Sequence, residues 1–165
     1  MSVSLAMEEL LAWNEEAARH WKDWLEANPT VLALPCDIGN TATVQDFVRH
    51  IWGRELLWAE RLQGRPETPN EALPAGPIEA LYELHRQASA IYRKLLADPN
   101  ENWEALYTLN MASLPPEKRT HSHRKMLAHA LLHSQRHWAQ LATLVRTAGY
   151  PSGIRGDLLL SSALG

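Results

Sequence analysis

The chain has 165 residues, a length that suits one folded domain with a continuous core. Hydrophobic residues make up 45% and charged residues 21% of the chain, a balance that argues against intrinsic disorder. The formal net charge is −3, and no concentrated basic surface is evident, so we expect no nucleic-acid partner.

Cysteine content and the N-terminal segment bear on the cellular location. Cys36 is the single cysteine, which excludes a disulfide framework within the chain and metal sites built on several thiolates. The first residues include Glu8 and Glu9 and lack the basic and apolar regions of a signal peptide. No apolar run reaches the ~20 residues that span a bilayer. The sequence therefore predicts a cytoplasmic protein with no membrane partner.

The helical spacing of apolar residues predicts four helices, of which the first two fill the N-terminal half. The first runs from about Val3 to Asn28, where Pro29 ends it. The second runs from about Val44 to Gln63, with Thr43 as its N-cap and Asp46 completing an approximate capping box.

The rest of the chain contains the other two predicted helices. The third runs from about Pro77 to Ala97, and the fourth runs from about Thr120 to Ala148, with Gly149 just beyond its end. Long connections precede each of them, at 64–76 and at 100–119, and both are rich in proline. No strand-like alternation of useful length is present.

Four long helices predict an all-α fold, a four-helix bundle that forms one domain over residues 1–165. The connection between helices two and three is long enough to cross the length of the bundle. Neighbouring helices can therefore be parallel, and simple up-down-up-down order is not required.

A row of histidines in the fourth helix is the main candidate functional feature. His129, His133 and His137 recur every four residues, so neighbouring members lie about one turn apart on one face. Two imidazoles at this spacing can bind one metal ion, and we do not expect all three to share it, since the first and third lie two turns apart. Spacing alone leaves open whether His129 and His133 or His133 and His137 form the pair. A further ligand must come from another helix, and His50 on the inner face of helix two is a candidate.

The other histidines are interpreted as surface residues or hydrogen-bonded core residues. His85, His121 and His123 belong to this group, and we expect His20 to be partly buried. Cys36 is interpreted as an inert loop residue, since no basic neighbour in sequence would activate its thiol.

Two segments carry a resemblance to a known family. Residues 47–58, FVRHIWGRELLW, resemble the second helix of the DinB superfamily of YfiT-like bundles, in which a histidine precedes an acidic residue and an aromatic one. Residues 127–151 resemble the fourth helix of that superfamily, whose pattern is roughly His-x-x-x-His-Arg-Gly-Gln, an apolar run and then Arg-x-x-Gly.

The resemblance implies a metal site and selects its ligands. His50 matches the helix-two ligand, and His133 and His137 match the helix-four pair, with Gln140 at the family's glutamine position. His129 is then an additional histidine, either beside the ligands or buried. The implied cofactor is a divalent metal ion, namely Zn, Ni, Fe or Mn, with coordination positions left open.

The resemblance also implies an up-down-down-up order of the helices. In addition, Trp138 and Ala139 occupy the positions of the family's Arg-Gly, so we expect Trp138 to alter the wall beside the last ligand.

The resemblance implies an enzyme that acts on a small-molecule substrate. A transferase of a low-molecular-weight thiol is the first hypothesis, and a metal-dependent hydrolase or isomerase is an alternative. In this hypothesis Trp52, Trp58, Glu55 and Glu60 could shape the pocket, although acidic residues of helix two are more often on the surface.

A non-enzymatic, stress-associated metal-binding homodimer is a second hypothesis. It is motivated by the tryptophans of helices one and two, some of which could form a dimer face.

Overall fold

A computed structural model of the protein describes residues 5–110 and 113–163. Within these ranges the chain forms four long α-helices: α1 at Met7–Ala27, α2 at Val44–Leu62, α3 at Ile78–Ala97 and α4 at His123–Thr147. The predicted mainly helical fold with four helices is therefore confirmed. The start predicted for helix one at Val3 lies outside the described residues.

The helices pack around one apolar core. Helix α2 packs against α3 and α4, and α1 packs against the same two helices, so α1 and α2 lie at opposite corners. Fully buried aromatic and aliphatic side chains from all four helices meet in the centre: Trp21, Leu25, Phe47, Ile51, Trp52, Leu81, Tyr92, Leu127, Leu131 and Leu141. No helix of the described ranges is both long enough and apolar enough to cross a membrane.

The ends of α2 and α4 follow the signals that their sequences carry. At the start of α2, the side chain of Thr43 accepts a hydrogen bond from the backbone N–H of Asp46, and the Asp46 carboxylate accepts one from the Thr43 backbone. After α4, Gly149 has a φ of +90°, a backbone conformation that a residue with a Cβ rarely adopts.

A short hairpin was not expected from the sequence. Strands β1 at Leu106–Thr108 and β2 at Thr120–Ser122 pair antiparallel, so the start of helix four at Thr120 was predicted three residues too early. The strand pairing continues to Ser122, whose side chain then accepts a hydrogen bond from the backbone N–H of Lys125 and caps the helix. A three-residue strand leaves no periodic signal that sequence analysis can detect.

The tryptophans belong mainly to the core. Trp21 and Trp138 stack with ring centroids 5.5 Å apart, and Trp52 contacts Trp138 edge-on. Trp13, Trp24 and Trp58 are partly buried and pack against the same core. Burial therefore removes much of the argument for a tryptophan-rich dimer face, and the homodimer stays a prediction.

A buried polar network crosses the centre of the bundle. The Glu55 side chain is only 1% exposed, and one of its oxygens accepts a hydrogen bond from Asn14 Nδ2 of α1 at 2.8 Å. The other oxygen lies 2.5 Å from His85 Nδ1 of α3. Gln135 of α4 donates to the Asn14 side chain at 3.1 Å. The network thus connects all four helices through charged and polar groups.

Glu55 and Glu60 are not the surface residues that were expected. Glu60 is 8% exposed and accepts hydrogen bonds from the backbone and hydroxyl of Thr68, which fixes the connection after α2. Each buried carboxylate therefore has a defined partner, as burial of a charged group requires.

We expect His85→Ala to destabilise the protein strongly, because it leaves the buried Glu55 carboxylate without its histidine partner. Breaking a buried pair in this way costs about 3–5 kcal/mol in free energy of unfolding. Urea unfolding followed by circular dichroism measures the change. Arg86→Ala, one position along α3 and exposed to solvent, is the matched control and should change stability by less than about 0.5 kcal/mol.

Candidate metal centre

Three histidines from two helices meet in the groove between α2 and α4. His50 comes from α2, and His133 and His137 come from α4. One ring nitrogen of each histidine lies within 4.8 Å of the corresponding nitrogens of the other two. The structure therefore brings together the three residues that the sequence analysis selected.

The nitrogens of the α4 pair have the spacing of ligands that share one ion. His133 Nε2 and His137 Nε2 are 3.0 Å apart. Two nitrogens that bind a tetrahedral zinc ion at their usual distance of about 2.0–2.1 Å lie about 3.3 Å from each other. The His50 ring faces the pair from across the groove, with its centroid 5.3 Å from that of His137.

Neighbouring side chains fix the orientation of His137. Its Nδ1 lies 2.6 Å from Gln140 Oε1, so the ring donates a hydrogen bond from Nδ1 and keeps the Nε2 lone pair free for a ligand role. The fully buried ring of Phe47 contacts the His137 ring edge-on, with centroids 5.1 Å apart. Gln140 and Phe47 together hold the imidazole in place before any ion binds.

His50 opens onto a polar cavity of about 690 Å³ on the outer side of α2. The cavity is bounded by the loop at 39–42, by one face of α2 that includes Arg54, and by the connection around Thr68. Gly39 in that loop has a φ of +64° and lies close to the imidazole of His50. A small molecule can therefore approach His50 from solvent.

The environment favours neutral imidazoles. Burial lowers the pKa of His50 to about 4, and the nearby charge of Arg54 adds to the effect. Burial likewise lowers the pKa of His133 to about 3, with the neighbouring His137 and His50 contributing. The pKa of His137 is also lowered, mainly by burial. Neutral imidazole is the form that binds a metal ion.

The donor set fits a divalent transition-metal ion. Three imidazole nitrogens converge, and no carboxylate or thiolate of the described residues joins the cluster. Such a set suits Zn, Ni, Fe or Mn, and three protein ligands leave coordination positions for water or substrate. The identity of the ion does not follow from the ligands.

His129 lies beside the cluster but outside it. Its side chain is exposed, and its ring contacts the rings of Trp58 at 5.0 Å and His133 at 5.7 Å between centroids. His129 is one turn further from His50 than His133 is, which explains why it does not join the group. The alternative pair of His129 and His133 therefore lacks the third ligand from α2.

Several other residues singled out in the sequence do not belong to the histidine cluster. Trp138 is buried against Trp21 and Trp52, and the effect of having Trp138 and Ala139 in place of the family's Arg-Gly on the wall beside His137 stays a prediction. Trp52 belongs to the same core stack. Cys36 is buried and its sulfur accepts a hydrogen bond from Thr41.

The remaining histidines have separate surroundings. His85 is a hydrogen-bonded core residue, as expected, and His20 is exposed although it was expected to be partly buried. His121 lies in β2, and His123 begins α4 and contacts Glu101 at 2.8 Å.

Two arginines near the cluster were not singled out from the sequence. Arg136 Nη2 lies 3.4 Å from His137 Nε2. Arg54 follows His50 by one turn of α2 and lines the same cavity. The available signal was their spacing, because Arg136 follows His133 by three residues and Arg54 follows His50 by four. Positions three or four apart on a helix share a face. Charged residues on helices are common, and the spacing alone did not distinguish these two.

We expect the metal-free protein to lose stability as the pH falls from about 6.5 toward 4. Histidines with a lowered pKa stay neutral in the folded state and become protonated in the unfolded state near the ordinary imidazole pKa of 6.5, so acid favours unfolding. Urea unfolding of chelator-treated protein at several pH values measures the slope.

The pH dependence should shrink in His133→Phe and stay unchanged in His20→Gln, which replaces an exposed histidine of α1. If the free energy of unfolding changed equally with pH in wild type and in His133→Phe, the lowered pKa of His133 would be contradicted.

A family model matches nearly the whole chain. A comparison with curated proteins finds no match. A scan against family models matches the DinB family over residues 1–158. That range covers nearly the whole chain and includes all three clustered histidines. The chain belongs to the DinB family.

Proposed function

We propose that the protein binds one divalent metal ion through His50, His133 and His137 and uses it as a metal-dependent enzyme on a small-molecule substrate. The observation that carries the proposal is the convergence of three imidazole nitrogens within 4.8 Å, one of which belongs to His50 at a solvent-open cavity. A closed structural site would instead occupy every coordination position with protein ligands.

The proposed reaction is the transfer of a low-molecular-weight thiol to an electrophile. A bound divalent ion supplies Lewis acidity, which favours the anionic form of a thiol or a water molecule near neutral pH. The chain's own residues supply orientation and access: Gln140 holds His137, Phe47 supports the same ring, and the cavity beside His50 admits the substrate.

Hydrolysis and isomerisation are alternatives that the same site could support, since they need the same ligand set and the same access.

A cytoplasmic location, predicted from the sequence, would give the protein access to small thiols.

We also propose one domain with the up-down-down-up order of helices. Residue contacts support this order. Glu15 and Lys22 of α1 contact Arg93 and Glu79 of α3, which suits antiparallel helices. Pairs in the other interfaces are Trp52 with Tyr82, Glu55 with His85, Phe47 with His137, and Trp58 with His129. The first two pairs join α2 and α3, and their residue numbers rise together, as in parallel helices. The last two pairs join α2 and α4, and the residue numbers of α4 fall as those of α2 rise, as in antiparallel helices.

We expect untagged wild-type protein to retain about one equivalent of metal, and His50→Ala, His133→Ala and His137→Ala each to lose most of it. Each substitution removes one of three protein ligands. Inductively coupled plasma mass spectrometry of the purified proteins measures the content and names the ion. Unchanged metal content in all three variants would contradict the proposed site.

Two further variants separate ligand loss from general damage. His129→Ala changes a histidine of the same helix outside the cluster and should retain the metal. Gln140→Ala should retain the fold but bind the ion about 10–100-fold more weakly, because the hydrogen bond that orients His137 is lost. Competition with a chelating dye measures this affinity.

We expect the metal-loaded protein to consume thiol in the presence of an electrophile such as 1-chloro-2,4-dinitrobenzene, and His133→Ala to lose this activity. Several bacterial thiols are compared, with each candidate ion added in turn. His129→Ala is the control and should remain active. Metal-loaded protein without turnover on any thiol would contradict the transferase reaction and favour a non-enzymatic metal-binding role.

A further inference from the structure

Positive charge surrounds the proposed metal position without acidic partners. Among the described residues, no carboxylate forms an ion pair with Arg49, Arg54 or Arg136, whereas arginines elsewhere in the molecule, such as Arg61 and Arg93, do pair with glutamates. The three histidines add no negative charge, because their imidazoles are neutral ligands. A divalent ion at this position would therefore carry its full charge near the cations Arg54 and Arg136.

The acids that line the cavity at His50 are already engaged, and Asp37, which borders a second cavity together with Arg136, forms no ion pair with that arginine among the described residues. Asp46 accepts hydrogen bonds from the backbone and hydroxyl of Thr43 at the start of α2. Glu67, on the far wall of the cavity, pairs with Arg61 at 2.7 Å. Glu55 points into the core and contacts His85. None of these carboxylates neutralises the groove at the histidines.

Two of the arginines have guanidinium groups available to a ligand. Arg54 is exposed and shares the cavity with His50, and it forms no side-chain hydrogen bond to a described residue. Arg136 is also exposed, and its polar contact is with His137 at 3.4 Å. Arg49 differs, because its Nη2 donates to the backbone carbonyls of Asn70 and Leu73.

We propose that the site selects substrates with an anionic group, such as a carboxylate, and that Arg54 and Arg136 bind this group beside the metal position. The inference rests on the proposed function, since the metal ion would hold the reacting end of the substrate. Arginine binds carboxylates through charge-assisted hydrogen bonds, which are stronger than neutral ones. The anionic group would also offset the repulsion among the cations of the groove.

The test compares two small thiols that differ in charge. Cobalt-loaded protein is titrated with 2-mercaptoethanesulfonate and with 2-mercaptoethanol, and the visible absorption of cobalt reports thiol binding. A sulfonate is a poor metal ligand, so the comparison isolates the effect of charge. We expect the sulfonate to bind about 10-fold more tightly at low salt, a preference that charge-assisted hydrogen bonds can supply.

Variants assign the preference to the two arginines. Arg54→Gln and Arg136→Gln should each reduce it, and the double variant should bind both thiols equally. Arg136→Lys should keep part of it, and Arg146→Gln, an exposed arginine near the end of α4, should keep all of it. Higher salt should weaken binding of the sulfonate and leave that of the neutral thiol unchanged.

The outcomes distinguish this inference from the proposed function. Wild-type protein that takes up no cobalt overturns both. Protein that holds cobalt but binds the two thiols equally overturns only the anionic preference. A preference that persists in the double variant assigns it to other groups and overturns the role of Arg54 and Arg136.

Discussion

The buried hydrogen bonds of Glu55 with Asn14 and His85 constrain how α2 is oriented against α1 and α3. A carboxylate that is 1% exposed must keep its hydrogen-bond partners, and they come from α1 and α3. This requirement fixes the rotation of α2 about its own axis. His50 precedes Glu55 by five residues, about 140° around the helix, so it points away from the network and into the groove beside α4.

The core around this network also positions His137 of the candidate metal site. Trp138 follows His137 directly, and its ring stacks on Trp21 of α1. Because neighbouring positions on a helix point about 100° apart, anchoring Trp138 in the core turns His137 toward α2. Phe47 then fills the space beneath the imidazole. The packing of Trp138 and Phe47 thus supports the orientation of His137, a proposed metal ligand on α4.

Charge gives the groove its chemical character. Burial keeps the histidines neutral, as metal binding requires, while the acids of α2 are engaged in capping or in the core. Arg54 and Arg136 are left without acidic partners at the edge of the site. In the proposed function, the same arrangement would hold a metal ion with neutral ligands and attract an anionic substrate.

The sequence by itself determined the four helices, because their apolar periodicity, caps and prolines are local signals. It also restricted the pair of metal ligands on helix four to neighbouring histidines of the row His129, His133 and His137. The family resemblance selected His133 and His137 and pointed to His50. Only the tertiary structure decided that Glu55 is buried, that Trp138 faces the core and that the hairpin forms before α4. Those outcomes depend on contacts between residues far apart in the chain, and helical periodicity does not encode which partner a side chain meets.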